Sequence, residues 1–245
     1  AQGCEAVFHL AAVVSVPRTV AEPLFSAMVN DVGTLHVFEA ARRQRAASLV
    51  FASSSAAYGD DPRQPKHEAL IPEPLSPYAV QKITGEHYAG VYHRLFGIKT
   101  TSLRFFNVYG PRQDPGSPYS GVISIFMDRA CRDRAPTIYG DGSQSRDFVY
   151  VEDVVRACLD AAASPNTGGM TFNVGTGRST TINELWQTIG KLSGCRRQPE
   201  YEPPRSGDIL HSLAQMDRMR AAIGFAPRVP LEEGLARTFQ WYGAQ

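Results

Sequence analysis

The stretch SLVFASSS, residues 48–55, strings together Leu49, Val50, Phe51 and Ala52 without a polar break and then stops in serines. An apolar run this short, ended by turn-forming residues, suits a strand covered on both faces. The same pattern stands upstream in AVFHLAA (6–12) and downstream in KTTSLRFFNVYG (99–110), which reads as one strand breaking at YGPRQDP. A loop and then a helical pattern from about Pro23 to Arg43 separate the first two runs, and a second helix separates the next two. Strands alternating with helices predict βαβ units and a parallel sheet, hence an α/β fold.

The second helix opens at SPYAVQK, residues 76–82. Ser76 can offer its side-chain oxygen to the free N–H groups of the first turn. Pro77 fits the first helical position, where its missing N–H costs nothing, and Gly97 after HRLF supplies a C-cap. Ile83, with Ala79 and Val80, is assigned to the buried side. Tyr78 and Lys82 are four residues apart and share a face. An ammonium beside a phenol is expected to lower the phenol's pKa.

Ligands of open parallel sheets bind beyond the carboxyl ends of the strands, which singles out Leu10–Val13, Ser53–Ser55 and Phe105–Asn107. Taken alone, the serines are as readily a turn or a cap, and a Y-x-x-x-K spacing is more often a surface pair. Together, on successive elements of one α/β unit, they point to one pocket.

The 245 residues are 43% hydrophobic with a net charge of +1. That composition suits one or two compact domains and gives no reason to expect nucleic acid or a membrane surface as partner. No apolar run is long enough to span a bilayer. The four cysteines are widely spaced with no C-x-x-C pair, as expected of buried or incidental thiols in a reducing cytosol. The six histidines show no metal-ligand spacing, so no metal is expected. From Gly110 onward, long Gly/Pro loops surround short elements, which suggests a smaller, loop-rich second lobe. NVGTG (173–177) contains G-x-G without a third glycine and reads as a turn feeding a helix, with Thr181 and Glu184 at capping-box spacing.

In order along the whole chain, VFHLAA, NDVGT (30–34), VFASSSAAYG, SPYAVQK, LRFFNVYGPRQDP, YGDGSQSRDFVYVEDV and RSGDILHS resemble the extended short-chain dehydrogenase/reductase family. Within it they are most similar to the UDP-glucose (UDP-galactose) 4-epimerase branch. The resemblance implies a Rossmann-like, doubly wound parallel sheet with a smaller C-terminal substrate-binding lobe. Residues 1–110 and about 147–176 would form the NAD-binding part, and 111–146 with 177–245 the sugar-nucleotide lobe. It implies NAD as cofactor, Ser54, Tyr78 and Lys82 as catalytic residues, and 4-epimerisation of a UDP-hexose through a 4-keto sugar. Leu10, Ala11, Ala12, Val13, Asn30, Ser53 and Phe105 would line NAD beside Tyr78 and Lys82. Asn107, Val122, Tyr139, Arg146, Arg205, Asp208 and Ser212 would join Ser54 around the UDP-sugar. The arginines suit the diphosphate, and the small Ser212 leaves room for an N-acetyl group. Outside the resemblance, each arginine is an ordinary surface charge. A cytoplasmic homodimer, built partly on the helix carrying Tyr78, is also implied.

The family opens with a G-x-x-G-x-x-G turn on the cofactor pyrophosphate, and no such turn occurs here. The chain starts without a methionine directly at a buried-type strand, so it is read as lacking the family's first strands, and alone it is expected to hold NAD poorly. Dehydratases of the family place an Asp-Glu pair just after the serine, where this chain has Ser55-Ala56-Ala57; dehydration is disfavoured. UDP-glucuronate 4-epimerisation or decarboxylation is compatible with the same three residues. A non-catalytic dinucleotide sensor is the reading from another class, although such proteins typically lose the tyrosine or the lysine.

Overall fold

The structure is a computed structural model, describing residues 3–114, 116, 121–204 and 209–244. In chain order it contains β1 (Ala6–His9), α1 (Val16–Ala21), α2 (Pro23–Ala27), α3 (Gly33–Arg43), β2 (Ser48–Ser54), α4 (Pro77–Phe96), β3 (Lys99–Phe105) and β4 (Asn107–Tyr109). Then come α5 (Val122–Cys131), β5 (Thr137–Tyr139), β6 (Ser145–Arg146), β7 (Phe148–Tyr150), α6 (Val151–Ala163), β8 (Met170–Val174), β9 (Thr180–Thr181) and α7 (Ile182–Ser193). β10 (Glu200–Glu202), β11 (His211–Ser212), α8 (Asp217–Ile223) and α9 (Leu231–Gly243) follow.

The chain divides into two compact units. The first comprises residues 1–105, 155–174 and 215–226; the second comprises 106–154, 175–214 and 227–245. The first unit holds a four-stranded parallel sheet in the order β1-β2-β3-β8, the α/β arrangement expected from the alternating pattern. Its register aligns Ser54 with Phe105 and Val174 at the carboxyl ends of three strands. One layer below, Ser53, Arg104 and Asn173 are aligned in the same way. β2 is buried over its apolar length, and Leu49 and Phe51 join Phe38, Ala41, Ala89, Tyr92 and Ile98 in this unit's core.

Helix α4 forms as its caps dictate. Ser76 Oγ accepts from Ala79 N at 3.2 Å, Pro77 occupies the first turn, and Gly97 takes the left-handed conformation (φ 70°) while donating to His93 O. Val80, assigned to the buried side, is 49% exposed; Ala79 is buried and Ile83 half-buried. Gly85 faces Phe51, where a Cβ would lie 2.3 Å from the ring. Absence of a side chain there lets α4 close onto β2.

Three details depart from sequence expectation. Ser15 caps a short helix, α1, where a loop was expected. Between α2 and α3 the backbone passes through a π-helical stretch, Met28–Val32. The run 99–110 is two strands, because the chain changes partner at Phe106: β3 pairs with β2 and β8, whereas β4 pairs with β7.

Among its described residues the second unit contains three small sheets: β4-β7, β5-β10, and β11-β6-β9. Its core gathers Ile123, Phe126, Met127, Ile138, Leu185, Trp186, Ile189 and Leu235 from α5, β5, α7 and α9. Thr181 and Glu184 form the anticipated capping box at the start of α7. The segment 215–226 belongs to the first unit, where Gln215 N donates to Lys66 O and α8 packs on β8. Residues 147–154 belong to the second, through the β4–β7 pairing. Among the described residues no helix is long and apolar enough to cross a membrane.

Candidate active site

The carboxyl end of β2 meets one face of α4. Ser54 is half-buried; its hydroxyl accepts from Ala56 N at 3.1 Å and stands close enough to Tyr78 to favour the phenolate. Lys82 is 4% exposed; its Nζ donates to Ala52 O at 2.7 Å and sits 5.1 Å from the Phe51 ring centroid and 5.6 Å from that of Tyr78. Ser54, Tyr78 and Lys82 are therefore gathered at one strand end.

The electrostatics correct the expectation drawn from the four-residue spacing. Tyr78's pKa is raised by burial, and only the nearby Ser54 hydroxyl pulls it back. Burial draws the Lys82 ammonium down to about 8. Lys82 aims at a backbone carbonyl, so desolvation of each group outweighs their mutual effect. Burial also lowers the pKa of His9 below the ordinary imidazole range, with the Lys82 charge adding to it, and the ring bonds Thr34 Oγ1 at 2.9 Å.

Beyond β1, Leu10 is 57% exposed, Ala11 is exposed, and Ala12 and Val13 are half-buried. This loop is held by Asn30, which is buried. Its Oδ1 accepts from Val13 N (2.7 Å) and its Nδ2 donates to Val13 O (3.0 Å) and Gln81 Oε1 (2.7 Å). Asn30 thus presents the loop rather than an open contact surface. Ser53 is 3% exposed, and its hydroxyl donates to Glu86. Phe105 is half-buried at the end of β3.

These residues fit a nicotinamide nucleotide. Apolar side chains lie open beyond a parallel strand, and the three-donor Lys82 ammonium gives one hydrogen bond, to Ala52 O, among the described residues. Nor do any three His, Cys, Asp or Glu among the described residues gather as a metal site; the four cysteines form no disulfide among the described residues, and Cys158 and Cys195 are buried.

In the second unit, Asn107, Val122, Tyr139 and Arg146 line one cavity of about 240 Å³ with Ile125, Gln144 and Ile182. A wider cavity of about 780 Å³ shares Tyr139 and Gln144 with it. Arg146 Nη1 donates to Ser145 O at 2.9 Å and to Leu210 O at 3.3 Å. Ser212 is 8% exposed and in register with Arg146 across β11 and β6; it does not face solvent. Arg205 and Asp208 lie outside the described residues.

Sequence reasoning missed Asp147, whose buried carboxylate accepts from Thr176 N and Oγ1, Gly177 N and Ala214 N. It also missed Glu86 and Gln81, although Glu86 continues the four-residue spacing of Tyr78 and Lys82 and was open to discovery on that signal.

Residues 1–175 match the model of the NAD dependent epimerase/dehydratase family. The UDP-glucose 4-epimerase of Mycolicibacterium smegmatis is 42% identical over 239 residues, covering 97% of this chain and 76% of that protein. Among solved structures, the UDP-N-acetylglucosamine 4-epimerase of Methanobrevibacter ruminantium M1, in complex with UDP-N-acetylmuramic acid, superposes with a TM-score of 0.96 at 40% identity, covering 100% of this chain and 78% of that one. The UDP-glucose 4-epimerase of Thermotoga maritima with UDP-glucose gives 0.93 at 41% identity, covering 97% and 77%. With the parallel sheet, the Ser54–Tyr78–Lys82 grouping and these likenesses in hand, the chain belongs to the NAD dependent epimerase/dehydratase family.

Proposed function

We propose that the protein interconverts UDP-hexoses at C4, with UDP-glucose and UDP-galactose as one substrate pair. The observation that carries this is the gathering of Ser54, Tyr78 and Lys82 at the carboxyl end of β2, supported by the activities for which the similar proteins are named. Leu10–Val13 and Phe105 would line NAD and Lys82 would hold its ribose; when bound, the cofactor would supply a hydride acceptor that returns the hydride later in the same cycle.

Tyr78 takes the proton of the sugar 4-hydroxyl, and Ser54, beside it, relays that proton. Tyr78 needs positive charge nearby to ionise, because burial holds it as the phenol; the Lys82 ammonium contributes part of it. The 4-keto sugar turns over, takes hydride on its other face, and recovers the proton from Tyr78. Oxidation and reduction balance within one cycle. In the second unit, Asn107 and Arg146 hold the sugar nucleotide and Val122 and Tyr139 its base, with Arg205 and Asp208 assigned alongside them by resemblance.

Ser212 is small and buried beside Arg146, which supports acceptance of UDP-N-acetylglucosamine and UDP-N-acetylgalactosamine. The buried thiols Cys158 and Cys195 are compatible with a cytoplasmic location. Leu24, 84% exposed, and the outward Phe25, Met28 and Val80 support a homodimer through α2 and α4.

The test is incubation of the full-length protein with UDP-glucose, UDP-N-acetylglucosamine and UDP-glucuronate, with products identified by NMR. C4 epimers of the first two are expected. A decarboxylated or C4-inverted product from UDP-glucuronate alone would replace this reading.

A further inference from the structure

Tyr78, Lys82 and Glu86 stand at four-residue intervals on α4, and each reaches β2. Tyr78 meets Ser54, Lys82 meets Ala52 O, and the Glu86 carboxylate accepts the Ser53 hydroxyl. Glu86 also takes a two-pronged contact from Arg104, with Nε on Oε1 at 2.8 Å and Nη2 on Oε2 at 2.7 Å. Both side chains are sealed from solvent, 5% exposed for Arg104 and 8% for Glu86.

The partners form one layer of the sheet. Ser53 is aligned with Arg104 and Arg104 with Asn173. The Arg104 guanidinium lies 4.6 Å over the Tyr58 ring, and Tyr58 donates to Asn173 Oδ1 at 2.6 Å. A polar layer thus runs across β2, β3 and β8 directly below the layer of Ser54, Phe105 and Val174. Stability alone is a poor reason for it, since a buried ion pair is often replaceable by apolar residues at no loss. What such a pair fixes well is geometry: planar bidentate contacts tolerate little displacement.

We propose that Glu86, braced by Arg104, is a positioning residue that holds the end of β2 through the Ser53 hydroxyl so that Ser54 stays placed beside Tyr78. Ser53 then acts as the link between the brace and its catalytic neighbour. This rests on the epimerase reading for its consequence in turnover, but not for the contact itself, so two readouts are needed.

The first readout is the titration of Tyr78 in full-length protein, followed by NMR of ring-labelled tyrosine with Tyr78→Phe to assign the signal. Ser53→Ala and Glu86→Gln should each displace it to higher pH, because the nearby Ser54 hydroxyl favours the phenolate. Ser53→Thr, which keeps a hydroxyl, should leave it near wild type. The second readout is turnover of whichever UDP-hexose the wild type converts. Ser53→Ala should lower kcat about 10- to 100-fold, the scale of a small misplacement of reacting groups, with KM within about twofold, and Ser53→Thr should restore most of it. Wild-type protein inert to every UDP-sugar would remove the epimerase reading and leave the titration to decide this one. A Tyr78 titration unmoved by Ser53→Ala and Glu86→Gln overturns the proposal, as do equal kcat losses in Ser53→Ala and Ser53→Thr.

Discussion

Replacing Asp147 by Asn should destabilise the second unit severely while changing one atom. The carboxylate accepts four bonds and gives none: Oδ1 takes Thr176 N at 2.7 Å and Thr176 Oγ1 at 2.6 Å, and Oδ2 takes Gly177 N at 2.9 Å and Ala214 N at 3.2 Å. An amide keeps one oxygen, and its NH₂ must then face donors. Left facing it are the two backbone N–H groups of the longer pair. Each hydrogen bond to a charged acceptor is worth about 1.5–3 kcal/mol, and the longer contacts belong at the low end, so the direct loss is about 3–4 kcal/mol. Burial pushes the Asp147 carboxyl up, so removing the charge returns part of this. The net expectation is about 2–3 kcal/mol, a large share of a domain stability of roughly 5–15 kcal/mol.

Both tryptophans, Trp186 and Trp241, lie in the second unit. Urea unfolding followed by their fluorescence therefore reads the affected part. Thr176→Val is the graded control: it removes the side-chain donor to Asp147, along with the exposed bond that Thr176 Oγ1 accepts from Arg178 N at 3.2 Å, and should cost about 1 kcal/mol. An Asp147→Asn loss below about 1 kcal/mol, or no larger than that of Thr176→Val, would refute the donor-only description of the site. Asp147 directly follows Arg146, and Ala214 lies two residues beyond Ser212, so the same variant should also weaken UDP binding in calorimetry.

Tyr78→Phe in the full-length protein should leave sugar-nucleotide binding nearly intact and lower kcat by at least about a hundredfold, the low end for losing an acid–base group; near-normal turnover would remove Tyr78 from the mechanism. Lys82, with its pKa drawn from 10.5 to about 8 in the fold, binds fewer protons folded than unfolded between those values. Stability should thus rise with pH across that window, by about 3 kcal/mol relative to Lys82→Met, and parallel urea-midpoint curves for the two proteins would contradict the burial argument. Gly85→Ala should cost about 1–3 kcal/mol through overlap with the Phe51 ring, outweighing the roughly 1 kcal/mol that alanine gains in a helix; a raised Tm would show the ring free to move.

Local signals carried most of the fold. β2, the caps of α4 and the Thr181–Glu184 box are each set by residues within one turn or one strand, so the sequence pattern and the structure agree there. What escaped is long-range. The break at Phe106 depends on Asn107 N finding Asp147 O, forty residues on, inside a stretch whose composition is uniformly strand-like. The return of 215–226 to the first unit depends on Lys66 O, which no local pattern foreshadows. In the site, identity was legible and engagement was not: Ser53 and Asn30 lie at the strand and loop expected, yet Ser53 bonds Glu86 and Asn30 bonds the Val13 backbone.

The face of α4 against β2 shows why the three polar residues belong together. A helix lying on a buried sheet is expected to present an apolar stripe, and this one presents tyrosine, lysine and glutamate at successive turns. Each buried polar group carries a penalty of several kcal/mol unless bonded, so the stripe persists only if the opposing strand offers a partner at each turn. Mid-strand, β2 cannot, because its carbonyls and amides are engaged by β1 and β3. Only its carboxyl end extends past β1, whose register stops with His9 opposite Phe51. Ala52, Ser53 and Ser54 are the residues beyond that point, and they are the three that α4 engages. The short β1 thus frees the backbone that holds Lys82, and the strand-length difference, rather than the Y-x-x-x-K spacing alone, places the candidate catalytic groups where a ligand of a parallel sheet binds.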